Sequence, residues 1–457
     1  QEKSDDGDIT ANYNTVASSE SIVFKPERVV SSYTGVSDYE ISGTPPNQSS
    51  VFQASDGITT GAYNNLANGT YTYSVLDAYD NLSTFSGTNF DRAYYQTFTP
   101  STIFTITLDS NAQANNISKD TSTYYRVDST NGYTTNSDAY TANLIFSGSN
   151  IIHGTTDIDA GNIKLNGTTT FTGTVESGSI DVDTTDTITF NSAVDLSSGT
   201  TDTMKISTNG NIILNSDLTG NVTTTANNQG ILTTTGNSQT ITGNIGTSTS
   251  LDLSTLNIGS ATVPTNYSST TISGDVFASS TVLNNNGTTN SSTLILSNGS
   301  DITSTITTAN NTKGILTLVG GTQTVSGIVG ASGSKLAEVN AGANSSTSTF
   351  SSDVFVTNLD VEGTGAVNLN GNFTGTNIRY NADGNVNLAD AKNINSNVTT
   401  ASNNTGTLNL LGTSTVSGTV GTDTNRLKEI NSGISGKEGT FSSDVFVTNL
   451  DVEGTGA

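Results

Sequence analysis

The chain has no cysteine and no tryptophan, one histidine, one methionine and five prolines in 457 residues. Without cysteine there is no disulfide staple, no thiolate nucleophile and no thiolate metal centre. Any Ser-His-Asp arrangement would depend on His153 alone. Its surroundings, Ile151-Ile152-His153-Gly154, hold no nucleophile elbow, so an ordinary side chain at a domain junction is the expected reading. No run of eighteen apolar residues occurs, so no transmembrane helix is expected. Charge is sparse and one-sided: 12% of residues are charged, and 15 Lys and Arg against 40 Asp and Glu leave −25. A surface of that sign repels nucleic acid and anionic membranes, and no nucleic-acid partner is expected. The sequence starts at Gln1 without an initiator Met or a visible signal peptide, the expectation for a processed, secreted polypeptide.

What the chain has in abundance is repetition. TFSSDVFVTNLDVEGTGA runs from Thr349 to Ala366 and again, unchanged, from Thr440 to Ala457, 91 residues later. Upstream, NNTKGILTLVGGTQTVSGIVG (Asn310 to Gly330) matches NNTGTLNLLGTSTVSGTVG (Asn403 to Gly421), and a diverged copy, NNQGILTTTGNSQTITGNIG, spans Asn227 to Gly246. Gly230, Gly243 and Gly246 lie 84 residues before Gly314, Gly327 and Gly330, and Asp-Val-Phe recurs at Asp275–Phe277, Asp353–Phe355 and Asp444–Phe446. Fixed-period self-similarity is the signature of stacked units.

Within each unit apolar residues alternate with Thr, Ser or Asn, as in Ile315-Leu316-Thr317-Leu318 and Val354-Phe355-Val356. Period two rich in Thr, Val and Ile predicts strands, and Gly, Asn-Gly and Asn-Asn steps mark the turns. No helical spacing is sustained, so the fold class is all-β. Near-verbatim tandem copies fit a sandwich or barrel poorly and fit a right-handed parallel β-solenoid (β-helix) well, with each rung bonded to the one below and burying the same side chains in register. Stacked Asn or Thr can add ladders of side-chain hydrogen bonds. With rungs about 4.8 Å apart, residues 146–457 would form a rod roughly 50–75 Å long.

Composition shifts before that tract. Thirteen of fifteen Tyr lie between Tyr13 and Tyr140, and four of five Pro at or before Pro100. A domain boundary is expected near residues 140–150, with 1–145 a distinct Tyr-rich N-terminal β domain or cap and 146–457 the solenoid repeats. Thr70–Leu76 and Ile103–Leu108 alternate as strands within it.

Acidic residues supply the candidate sites. Asp157 and Asp159 stand at i and i+2, as do Asp181 and Asp183, so each pair shares a strand face. That geometry suits Ca²⁺ or an acid–base pair. Asp383 before Gly384, and Asp5-Asp6-Gly7-Asp8, offer turn carboxylates to the same ion. A wet acidic face is the simpler explanation of these residues, and no cofactor other than Ca²⁺ is expected. A polysaccharide hydrolase or lyase would use Asp157 and Asp183, but the repeats lack Trp and hold only Tyr267 and Tyr380 to stack on sugars.

NNTGTLNLLGTSTVSGTVGTDTNRLKEINSG (Asn403 to Gly433), the identical block and NLNGNFTG (Asn368 to Gly375) resemble the repeats in passenger regions of bacterial autotransporters and of rickettsial-type outer-membrane surface-layer antigens. The resemblance covers 200–457 well, 146–200 loosely and 1–145 hardly at all. It implies an extracellular β-solenoid displayed on a bacterial cell surface, non-enzymatic, acting as coat or adhesin. The expected partner is the chain itself, in a homo-oligomeric coat or fibre. An adhesin binding a host or neighbouring cell surface through the N-terminal domain is the alternative.

Overall fold

Residues such as Asn162–Leu165, Thr187–Phe190, Asn211–Leu214 and Asn385–Leu388 form four-residue strands in which half-buried and buried side chains alternate. The alternation puts Ile, Val, Leu or Phe inward and Thr or Asn outward, joined there by Lys164 and Ile213, as a pleat with one dry face requires. The computed structural model describes residues 140–452 except 200, 261–266, 286–289 and 434–435, together with shorter stretches before 140. The described residues contain strands and no helix.

The strands stack in parallel into a β-solenoid with three faces per circuit. One circuit is Asn162–Leu165, Thr169–Phe171 and Val175–Glu176; the next is Ser179–Val182, Thr187–Phe190 and Val194–Asp195. The faces are called first, second and third in that order. Two ladders have sixteen strands each, which at about 4.8 Å per rung gives a column about 70 Å long. On the first face Ile163, Ile180, Met204 and Val222 stack in register, and all are fully buried. Inside the second face Phe171 and Phe190 stack with centroids 5.1 Å apart and planes 2° apart, while Phe146 meets Phe171 edge-on at 5.4 Å. Tyr380, also fully buried, donates from its hydroxyl to the Thr407 carbonyl at 2.8 Å. Interior hydroxyls pair with one another, Thr234 with Thr270 and Thr281 with Ser304, each at 2.8 Å.

The column reaches back across the expected boundary near residues 140–150. Thr102–Asp109 pairs with Tyr140–Ser147, Ile9–Tyr13 pairs with Thr102–Asp109, and Ile22–Phe24 pairs with Ile117–Lys119, all in parallel. Between these turns lie two antiparallel hairpins, Tyr71–Leu76 with Leu82–Gly87 and Tyr124–Asp128 with Gly132–Asn136. Both N-terminal strands expected from alternation are present.

The repeats stack differently from the in-register expectation. Circuits after residue 140 vary in length, from 17 residues (Ile163 to its partner Ile180) to 31 (Ile245 to its partner Val276). A unit of 84 or 91 residues therefore need not close on the face where it began. Ile245 lies on the first face; three circuits on, through Val276 and Ile302, comes Val325, and the matching Val329 lies one corner further, on the second face. From Val329 four circuits lead through Val354, Phe373 and Ile394 to Val416, and the matching Val420 is again one corner further, on the third face. Each copy is thus rotated a third of a turn from the last.

Local structure survives that rotation. Leu253–Ile258, Leu336–Ala341 and Leu427–Ser432 are six-residue strands with one burial pattern, on the second, third and first faces respectively. Strands that round a corner help the register adapt: Val276–Leu283 and Phe373–Tyr380 each shift register midway, between Phe277 and Ser280 and between Thr374 and Asn377.

Candidate functional site

Asp157, Glu176 and Asp195 are consecutive register partners near the ends of the third-face strands Thr156–Asp157, Val175–Glu176 and Val194–Asp195. Their neighbours Thr156, Val175 and Val194 point inward and are buried, so alternation sends the carboxylates outward. The turn after Asp157 brings in Asp159, whose φ of 49° lies in the left-handed region. Asp159 N donates to Asp157 Oδ1 at 3.3 Å, and Ser198 Oγ donates to the Asp159 carbonyl at 2.8 Å. One carboxylate oxygen each from Asp157, Asp159 and Glu176 lie within 4.8 Å of one another.

Like charges at that spacing disfavour full ionisation. Burial, then Asp157, Asp195 and Asp159, push the Glu176 carboxyl above its ordinary value. Three hard oxygen donors on one patch suit Ca²⁺, whose shell of six to eight oxygens would be completed by carbonyls and water. The sequence reading named Asp157 and Asp159 and missed Glu176, which comes from the next circuit. A signal was available: 157, 176 and 195 are spaced by 19 residues twice, the circuit length in this part of the chain.

The other named acids are placed apart from this trio. Asp181 sits between Lys164 and Lys205 in the first-face register, and takes the Lys205 ammonium at 2.8 Å. Asp183 takes Lys164 at 3.2 Å. Asp383 accepts from Lys428 at 2.7 Å and from Gly406 N at 3.0 Å, and the lysine hydrogen bond holds its carboxyl below the usual range. These three carboxylates balance the chain's own cations. Asp5, Asp6 and Asp8 fall outside the described residues. His153 is exposed at a corner, where its backbone carbonyl accepts from Thr172 Oγ1 at 2.6 Å.

A pocket of about 250 Å³ opens beside the first repeat copy, lined among others by Asp252, Phe277, Ser279, Thr303 and Ser326. Ser279 Oγ donates to Asp252 Oδ2 at 2.7 Å, and Asn228 N donates to Asp252 Oδ1 at 2.6 Å. Asp252 is the one carboxylate in that lining, whereas glycoside hydrolysis ordinarily uses two. No helix among the described residues is long and apolar enough to cross a membrane.

No protein family, curated protein or solved structure matches this chain.

Proposed function

We propose that this chain is a non-enzymatic structural rod, a secreted subunit of a bacterial surface coat or fibre that associates with copies of itself. The observation that carries this reading is the joining of all three repeat copies into one hydrogen-bonded column rather than separate beads on linkers. Parallel stacking passes every outward strand bond to the next circuit, so the column resists bending and can hold repeated surface features at fixed spacing. Placement on the cell surface rests on the repeat resemblance.

Negative-stain imaging of the purified protein at rising concentration tests the reading. Ordered sheets or filaments are the expected outcome. A field of isolated rods at every concentration overturns it.

A further inference from the structure

The pocket beside the first repeat copy is made by a fault in the stacking. Where Val276–Leu283 rounds its corner against Ile302–Thr308, Phe277 pairs with Thr303 and Ser280 with Thr305, so Ala278 and Ser279 together oppose Ser304 alone. The extra residue bends the strand, and a groove of about 250 Å³ opens at the corner. Gly327, on the following circuit, lines it with backbone only, because a Cβ there would strike the Ser304 carbonyl. The space is smaller than the roughly 300–1,000 Å³ of sites for drug-sized ligands, which limits the occupant to about one ring.

The wall defines the chemistry of that occupant. Phe277 points outward and is only half-buried, so its ring offers an apolar platform. In the third copy the matching ring, Phe446, has the chain's own Arg426 over it at 6.0 Å. Arg426 directly precedes Leu427, which pairs with Val447; Asp252 directly precedes Leu253, which pairs with Ala278, and no Lys or Arg lines the groove. Thr303, Thr305 and Ser326 also line it, and none of their three hydroxyls bonds to another described residue. Each can therefore both donate and accept. Ser279 commits its proton to Asp252, so toward a ligand it can only accept. The Asp252 carboxylate, held on both oxygens by Asn228 N and Ser279 Oγ, puts a negative charge beside the groove and disfavours an anionic occupant.

We propose that this groove is a non-catalytic subsite for one neutral sugar ring of a glycan. A pyranose presents an apolar C–H face, whose positive edges suit the electron-rich face of Phe277, and a rim of hydroxyls that give and take hydrogen bonds. That rim meets Thr303, Thr305 and Ser326 and donates to Ser279. A uronate or sulfated sugar is disfavoured by Asp252, and an organic cation would stack on the ring but leave the hydroxyls unused. One ring with few contacts gives a Kd on the order of millimolar. The subsite needs no second copy of the chain and stands apart from the assembly reading.

Saturation-transfer difference NMR on the intact chain tests the proposal. The probes are the methyl glycosides of glucose, galactose, mannose and N-acetylglucosamine, with glucuronate and choline as charged comparisons. Transfer to the ring protons of at least one neutral glycoside, above that to glucuronate and choline, is the expected result. Phe277→Ala abolishes it, Phe277→Tyr, which keeps the ring, retains it, and Ser326→Ala weakens the affinity severalfold. Thermal melts establish that each variant is folded; should Phe277→Ala not fold, Ser326→Ala, an exposed change that spares the core, carries the decision. Transfer to none of the four glycosides, undiminished transfer in the folded variants, or stronger transfer to choline overturns the proposal. Each of those outcomes leaves the coat reading as it stands, because imaging tests assembly separately.

Discussion

Thr312 and Asn404 hold the same position in two copies of the repeat and share one backbone conformation, with φ of 62° and 60°. The first copy has Asn228 there, at 55°. Left-handed backbone is tolerated by asparagine and disfavoured for a β-branched residue, whose Cβ substituents crowd the following carbonyl. Thr312 N nonetheless donates to the Lys335 carbonyl at 2.8 Å, so the turn is held by its neighbour and the strain persists. Thr312→Asn is expected to raise stability by about 1 kcal/mol. A denaturant midpoint that falls on substitution would contradict this account.

How much of this could be seen in the sequence depends on the level. In Lys313–Leu318 the second, fourth and sixth residues are buried, as alternation of Leu316 and Leu318 with Thr317 foretold. Period two is a local property, fixed by the pleat, and any window of five residues carries it. The face on which a copy sits is not local. Phe350 pairs on the first face with Val325, while Phe441, in an identical stretch, pairs on the second face with Val416. That difference accumulates from corner lengths over several circuits, and no single window records it. Glu176 escaped notice for the same reason: its partners lie one circuit away on either side.

Asparagines outside the first face form a continuous run. Asn387 Nδ2 donates to Asn368 Oδ1 at 2.7 Å, Asn409 to Asn387 at 2.6 Å and Asn431 to Asn409 at 2.7 Å. Each internal member gives and receives one bond, so removing Asn387 breaks two. Asn387→Ala is expected to cost about 1–3 kcal/mol, at roughly 1 kcal/mol per net bond. Because each circuit contacts only its neighbours, the loss should be read locally: amides of Ala366–Leu369 and Thr405–Leu410 exchange faster, while those of Asn162–Leu165 are unchanged. Uniform acceleration along the column would show that the chain unfolds as one unit instead.

Phe171 is packed on both sides, edge-on by Phe146 and face-on by Phe190. Truncation leaves a void whose walls belong to three stacked circuits and cannot easily collapse without breaking register. Phe171→Ala is expected to destabilise by about 3–5 kcal/mol, and Phe171→Leu by markedly less. Equal losses for the two would indicate that ring stacking, rather than filled volume, sets the value.

Glu176 connects stability to pH and to cations. Its carboxyl is pushed above the ordinary value in the folded chain by burial and by Asp157, Asp195 and Asp159. An acid with a raised folded pKa binds its proton more tightly folded than unfolded, so this group opposes folding when ionised. Its contribution therefore improves as pH falls through the folded value, and the relief is complete below the ordinary glutamate range near 4.3. Glu176→Gln removes the charge at every pH. The variant should melt slightly above the unmodified protein at neutral pH and equal it at about pH 3.5, the gap amounting to a few tenths of a kcal/mol for so exposed a group. If the trio binds Ca²⁺, millimolar Ca²⁺ should raise the melting temperature of the unmodified chain at pH 7 and do less for Glu176→Gln. Mg²⁺, which demands stricter octahedral geometry, should do less for both. NaCl at matched ionic strength separates the two causes: if it reproduces the Ca²⁺ shift, the carboxylates are merely screened, and coordination by Asp157, Asp159 and Glu176 is ruled out.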